Sequence, residues 1–371
     1  CIRPACPDSA MSWVDSAVIP GARRIERAWQ NLSLGSLPNT AEALPPQASL
    51  RRYVRLGRGN ESFIAMVLPE LEKAEEIGGG QGAGPFLTVQ SYLHERGLSV
   101  PRVYGFDSDT SIIVLEDLGD WTFERGLFDS QAEELFQPGW NDLQIAYERA
   151  VDLLVEMKVA TVDSAQHEGP WRDRAFDRTL LTGEWEHFLE YLVAEGCGLH
   201  DLAASTALRE AGAQLVEQIL DMPYVFTHRD YQSRNLMLGA RGLVIIDFQD
   251  ALMGPDVYDL VALLRDSYVS LPPTLVEYLL ARYHEGLREG GINPGTLSEL
   301  TNRFHLVSLH RKAKDAGRFV YIDRVKGNPD FLPHIPASIE CVRVALQQGS
   351  GLEHLHELLG PVLDRDWSGG R

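Results

Sequence analysis

A chain of 371 residues is long enough for two domains or one bilobal fold. A hydrophobic fraction of 44% supplies a substantial core, and a formal net charge of -19, from 34 basic and 53 acidic residues, gives a surface that repels nucleic acid and anionic membrane. No apolar run reaches the length of a membrane span, and the first residues lack the basic, apolar, small-residue order of a signal peptide. The four cysteines, Cys1, Cys6, Cys197 and Cys341, have neither CxxC spacing nor a compact metal pattern, so reduced thiols and a cytoplasmic location are expected. Met11 offers an alternative start, which would set residues 1–10 outside the native protein.

Residues 1–20 carry little pattern and are expected to be a loosely ordered extension. Residues 21–34 put Ile25, Trp29 and Leu32 on one side of a short helix. Residues 38–46 read as a loop. Residues 49–56 read as strand, loop edge and strand, 57–60 (Gly-Arg-Gly-Asn) as a turn, and 62–68 as the returning strand. The glycine-rich stretch 78–84, GGGQGAG, follows no strand and lacks the Lys-Ser/Thr ending of a Walker loop, so it reads as a flexible linker. An amphipathic helix spans 86–96 and stops at Gly97, and strands at 100–104 and 111–115 flank a turn at 107–109. Helices are expected over 141–160, 174–196 and 202–220, with a loop at 162–171. After the stretch described next, helices follow at 257–264, 272–291, 295–316 and 337–358, punctuated by the Gly327-Asn328-Pro329 turn and by Pro333 and Pro336. Strands gathered early and helices gathered late predict an α+β chain, with a small β-rich lobe before a larger helical one.

The chemistry concentrates in residues 223–260. A short apolar run at 224–227 leads into the polar loop His228-Arg229-Asp230-Tyr231-Gln232-Ser233-Arg234-Asn235. Two apolar runs, 236–238 and 243–246, flank a Gly-Ala-Arg-Gly turn, and the second ends on Asp247. Such a hairpin brings its two ends together, so Asp230, Asn235 and Asp247 converge. An acid to orient and deprotonate an attacking hydroxyl, plus an amide and a second acid to hold magnesium, is the set that phosphoryl transfer needs.

The HRDxxxxN loop, Ile246-Asp247-Phe248-Gln249-Asp250-Ala251 and Gly254-Pro255-x-x-Tyr258-Asp259 resemble the aminoglycoside phosphotransferase and choline kinase superfamily. The resemblance covers about residues 45–345 and is strongest to the superfamily's bacterial anomeric N-acetylmuramate/N-acetylglucosamine kinases of cell-wall recycling. It implies a protein-kinase-like bilobal fold, with a small nucleotide lobe at 21–116 and a hinge plus helical catalytic lobe at 117–371. It implies ATP and Mg2+ as cofactors, Asp230 as the catalytic base, Asn235 and Asp247 as metal ligands, and His228 and Asp259 as braces of the loop. In the small lobe, Ser49 with Arg51 or Arg52 would cover the phosphates, although a surface hairpin with basic side chains explains the same composition. Main-chain groups at Glu116, Asp117 and Leu118 would hold adenine, although a strand end with acids in its turn fits as well.

Candidates for the acceptor pocket are Tyr231, Gln249, Asp250, Arg265, Asp266, His305, His310 and Arg311. One feature departs from the kinase pattern: the strand at 63–69 carries no ATP-phosphate lysine, Lys73 lies in a solvated face, and Arg51, Arg52 or Arg55 would have to substitute. The function implied is phosphorylation of the anomeric hydroxyl of N-acetylmuramate or N-acetylglucosamine, with a pathway link to a sugar-1-phosphate nucleotidyltransferase. The alternatives are a kinase of another small acceptor (aminoglycoside, choline, homoserine or thiosugar) or a silent nucleotide-binding scaffold, which the missing lysine would favour. A protein-kinase role is opposed by the lack of an Ala-Pro-Glu-like segment after Asp247.

Overall fold

The computed structural model describes residues 14, 18–45, 50–69, 83–129, 131–132, 140, 142–239 and 241–367. Ser49, Lys73 and residues 78–82 of the glycine run therefore lie outside the described residues. The rest falls into two compact units, one drawn from residues up to 91 and from 100–120, the other from 92–99 and from 121 onward.

The first unit is built on an antiparallel five-stranded sheet of order β1-β2-β3-β5-β4, with β1 Thr40–Ala43, β2 Arg52–Arg58, β3 Glu61–Val67, β4 Val103–Asp107 and β5 Ile112–Glu116. Strand β1 corrects the loop expected at 38–46. Its sequence, TAEA, has little strand propensity of its own, and pairing from Thr40↔Gly57 to Ala43↔Val54 imposes the conformation. The same pairing corrects the turn expected at 57–60. Gly57 lies inside β2, where an added Cβ would sit 2.3 Å from Thr40 Oγ1, and the reversal is left to Gly59 and Asn60. The helix Ala22–Asn31 buries Ile25, Ala28 and Trp29 against Val54, Leu56, Phe63 and Ala65 of the sheet. Arg24 fastens it by donating to the carbonyls of Thr110 (2.8 Å) and Leu68 (3.1 Å). The helix Ala83–Glu95 takes up the last two residues of the expected linker.

The second unit is helical around two small β-ribbons. Helix Leu143–Ala160 is capped by Asp142, Arg178–His187 by Asp177 and Thr206–Leu220 by Ser205, each side chain accepting a first-turn backbone N–H. Arg178–His187 runs directly into a π-helical stretch, Phe188–Gly196. Pro273–Glu289 follows, then Leu297–Lys326, a 30-residue helix opened by a Thr296/Glu299 capping box and closed at left-handed Gly327. The sequence places the end of this helix at 316, before Gly317. That glycine is an interior residue, set where another helix backbone crosses. The stretch expected as one helix at 337–358 divides into Ile335–Gln348 and Glu353–Leu363 around Gly349 and Gly351. Among the described residues, no helix is long and apolar enough to cross a membrane.

Candidate active site

The site lies in the second unit. Strand β6 (Tyr224–Thr227) pairs antiparallel with β9 (Leu252–Pro255), and β7 (Leu236–Gly239) pairs with β8 (Gly242–Ile245) in the expected hairpin. Its register, Leu236↔Ile245, continues one step further, with the Ile246 N–H donating to the Asn235 carbonyl at 3.0 Å. Asn235 and Asp247 thus flank the same hairpin end. Asp247 has φ +63°, a left-handed conformation unusual for a non-glycine residue, and its side chain is exposed.

The loop between the two ribbons is held from three sides. Asp259, fully buried near the start of helix Tyr258–Leu264, accepts from the backbone N–H groups of His228 and Arg229 at 2.9 Å each and from Lys158 Nζ at 2.7 Å. Lys158, also buried, donates in addition to the Phe226 carbonyl at 2.8 Å. A carboxylate with no solvent needs three such donors, and here it supports the left-handed turn at Arg229 (φ +79°). His228 Nε2 lies 2.9 Å from the Ile246 carbonyl; a carbonyl only accepts, so this nitrogen carries the proton and Nδ1 accepts from the Asp230 N–H at 3.3 Å. The imidazole thereby ties the loop to the end of β8. Asp266, likewise buried, accepts from Ser233 N–H (2.9 Å) and from the Ser233 hydroxyl, fixing the turn Ser233–Asn235; burial pushes its carboxyl up, against those bonds.

Asp230 stands at the centre of this frame. Its side chain is 40% exposed, and Arg311, almost buried, reaches Oδ1 at 3.3 Å while donating to the Arg229 carbonyl at 2.8 Å. Enclosure alone would push this carboxyl up, but the charges of Arg311, Lys314 and Arg229 outweigh it and hold it below the ordinary aspartate range. Asn235 Nδ2 donates to the Asp230 carbonyl at 2.9 Å, which leaves the amide oxygen for a cation. Gln249 Nε2 donates to Asp247 Oδ1 at 2.8 Å and comes within 3.5 Å of Asp250 Oδ2, while Arg174 approaches Asp250 at 3.4 Å. Among the described residues no three His, Cys, Asp or Glu side chains form a metal-binding group. One amide and one carboxylate are still the donor set expected where phosphate oxygens and water complete a magnesium shell.

Asp230 and Arg229 open onto a pocket of about 680 Å³, shared with Thr179, Leu180, Gly183, Glu184, His187, Lys314 and Arg318. The pocket depends on a close helix crossing. A Cβ at Gly317 would lie 2.9 Å from Phe188 Cα and 3.1 Å from the His187 carbonyl, so only glycine lets the long helix approach the end of Arg178–His187. Gly317→Ala is expected to cost about 1–3 kcal/mol through overpacking and to weaken acceptor binding. Thermal unfolding checks this, and an unchanged Tm would show that the crossing tolerates a methyl group.

The other candidates divide clearly. Tyr231, a substrate candidate on sequence, is a core residue: it is fully buried and its hydroxyl donates to the Ala150 carbonyl at 3.0 Å. Arg265 and His305 each pack against Phe304, and neither lines the pocket. Arg265 lies over the Phe304 ring, and burial followed by Arg265 depresses the His305 imidazole to about 4. His310 is buried, and its Nε2 donates to the Leu181 carbonyl at 2.9 Å.

In the first unit, Arg51 is buried and Arg52 exposed. Arg55, offered on sequence as a stand-in for the missing lysine, is committed to carboxylates, gripping Asp117 at 2.7 Å and Asp120 at 2.8 Å. Asp117 also accepts from the Gly119 N–H at 2.9 Å, and Glu116 Oε2 accepts from the Arg102 N–H at 3.1 Å. The side chains of the expected adenine segment thus shape the segment itself.

Sequence reasoning missed Lys158, Glu184, Lys314, Gly317 and Arg318. For Lys158 a signal existed: it falls on the apolar stripe of its helix with Tyr147, Val151 and Leu154, where a lysine needs a buried partner.

An antiparallel five-stranded sheet in one unit and a helical second unit carrying this loop and hairpin define a phosphotransferase of the protein-kinase-like bilobal class. The chain belongs to the phosphotransferase enzyme family, whose model matches residues 40–292. It is similar to the N-acetylmuramate/N-acetylglucosamine kinase of Pseudomonas aeruginosa, at 31% identity over 333 residues covering 88% of this chain and 90% of that protein. The protein of the same name in Pseudomonas putida is 28% identical over 339 residues, covering 91% of each chain. Among solved structures, the choline kinase LicA of Streptococcus pneumoniae shares the fold with a TM-score of 0.54 at 16% identity, covering 86% of this chain and 97% of that one.

Proposed function

We propose that this chain is an ATP- and magnesium-dependent kinase that phosphorylates the anomeric hydroxyl of N-acetylmuramate or N-acetylglucosamine. The observation that carries the reading is the Asp230 carboxylate, held in one orientation by Arg311 and opening onto a pocket large enough for a hexose. Asp230 accepts the proton of the acceptor hydroxyl as the new oxygen–phosphorus bond forms and the bond from the γ-phosphorus to the bridging oxygen breaks, releasing ADP, and its fixed direction selects the attacking oxygen. Because its carboxyl lies below the ordinary aspartate range, it is ionised at neutral pH; alignment contributes more than basicity, which suits an anomeric hydroxyl, the most acidic on the sugar. Asn235 and Asp247 would hold magnesium, which neutralises charge on the nucleotide phosphates when bound. Adenine would meet main-chain groups at 116–118, with Ser49, Arg51 and Arg52 near the phosphates. Gln249 and Asp250 stand beside the metal acid, where a sugar hydroxyl would find acceptors.

A polycationic aminoglycoside is a poorer fit, because Arg229, Lys314 and Arg318 all line the pocket. Similarity to the N-acetylmuramate/N-acetylglucosamine kinases of Pseudomonas aeruginosa and Pseudomonas putida supports the amino-sugar reading. A cytoplasmic location would supply ATP, and a nucleotidyltransferase acting on sugar 1-phosphates would consume the product.

Asn235→Ala and Asp247→Ala are each expected to weaken Mg-ATP binding by roughly tenfold or more, in line with the loss of one charge-assisted ligand. Calorimetric titration at several magnesium concentrations tests this. Wild-type affinity and metal dependence in both variants would remove the metal assignment.

A further inference from the structure

In a chain of net charge -19, the segment 311–318 of the long helix reads RKAKDAGR, four cations to one acid. Arg311 is engaged with Asp230. Lys312 and Lys314 share the single carboxylate of Asp315, at 3.0 and 3.1 Å. Arg318, one turn beyond Lys314, is exposed, with its guanidinium over the Tyr321 ring at 5.1 Å. Lys314 and Arg318 both line the pocket that holds Asp230, which therefore carries more positive charge than its own acids neutralise.

The helix Arg178–His187 supplies a different chemistry to the same pocket. Glu184 is 90% buried by side-chain area, its exposure being 10%, and its Oε2 has no hydrogen-bond partner among the described residues; His310 Nδ1, 3.7 Å away, is beyond hydrogen-bond reach. His187 Nε2 is likewise buried, with no hydrogen-bond partner among the described residues. A buried carboxylate oxygen left without a donor is costly unless a ligand supplies one. Sugar hydroxyls and an N-acetyl N–H are donors of that kind.

We propose that Lys314 and Arg318 form a carboxylate subsite in the acceptor pocket, with Glu184 taking a donor of the sugar, so that an amino sugar bearing a lactyl-type carboxylate is preferred to its neutral counterpart. An ammonium and a guanidinium one helical turn apart suit a carboxylate, which accepts two charge-assisted bonds. The proposal rests on the amino-sugar reading above and refines it. It names which of the two sugars the pocket favours and which residues choose.

The test compares three acceptors: N-acetylmuramate, its lactyl methyl ester and N-acetylglucosamine. Calorimetry measures binding and steady-state kinetics measures kcat/KM, for the wild-type protein, Arg318→Met and Lys314→Met. The acid is expected to bind the wild type at least about tenfold more tightly than the ester, the scale of one charge-assisted bond. Arg318→Met should cut the acid-over-ester ratio several-fold. Because Arg318 is exposed, this variant is expected to fold even if Lys314→Met does not. Equal wild-type affinity for acid and ester would overturn the subsite, as would an unchanged ratio in a folded Arg318→Met. Acid-selective binding with no phosphorylated product from any acceptor would support the subsite and overturn the kinase reading.

Discussion

Asp230→Asn is expected to keep the fold and most of the Mg-ATP affinity while losing turnover by roughly 100-fold or more, the lower end of general-base contributions of about 10²–10⁴. The amide keeps the shape, and its oxygen still accepts from Arg311, which reaches Oδ1 at 3.3 Å. What it lacks is the negative charge that receives the acceptor proton. The pH dependence follows from the same geometry. The surrounding cations hold the Asp230 carboxyl below its ordinary range, so activity that requires the ionised form is present at neutral pH and lost only as pH falls through that depressed value. Arg311→Leu removes the first of those cations and should move the acid limb of kcat/KM upward in pH. Steady-state kinetics across pH checks both variants. Near-wild-type turnover in Asp230→Asn would end the assignment of the base.

Lys158→Met should be the most damaging single change to stability. It leaves Asp259, with 0% of its side chain exposed, holding a buried charge on two backbone N–H groups alone. Removing one partner of a buried pair costs about 3–5 kcal/mol. In a protein of this size that is a fall in Tm of roughly 5 °C. Turnover should fall as well, because Asp259 supports the left-handed turn at Arg229 that precedes the base. Lys158→Met/Asp259→Asn, which removes the stranded charge, should recover part of the stability but little of the activity. Differential scanning calorimetry separates the two effects, and a wild-type Tm for Lys158→Met would show that the pair does not carry the loop.

The catalytic loop was legible in the sequence because its geometry is local. Asp230, Asn235 and Asp247 lie within 18 positions, and one hairpin register brings their segments together. His228 and Asp259 were named as braces through the family resemblance, and the ribbon β6–β9, which the sequence reading did not include, returns the chain beside its own start and sets them there. What failed to show depends on contacts across long stretches of chain. Tyr231 sits beside Asp230 in sequence yet points into the core, and only the packing against Ala150 decides that. The Lys158–Asp259 pair spans 101 positions and the Arg311–Asp230 pair spans 81. Gly317 resembles a helix stop, and its role is visible only once Phe188 is placed against it. Arg55 looked available for phosphate until the acids of 117–120 were found around it. Local pattern conveys which residues are chemically apt, and tertiary packing decides which of them face the pocket.

Phosphorus NMR of the product formed from ATP, magnesium and N-acetylmuramate is the most direct test of the function. The expected spectrum shows a phosphate coupled to the anomeric proton, formed by the wild-type protein and nearly absent with Asp230→Asn. A phosphate at another hydroxyl, or no phosphorylated sugar from either N-acetylmuramate or N-acetylglucosamine, would contradict the account.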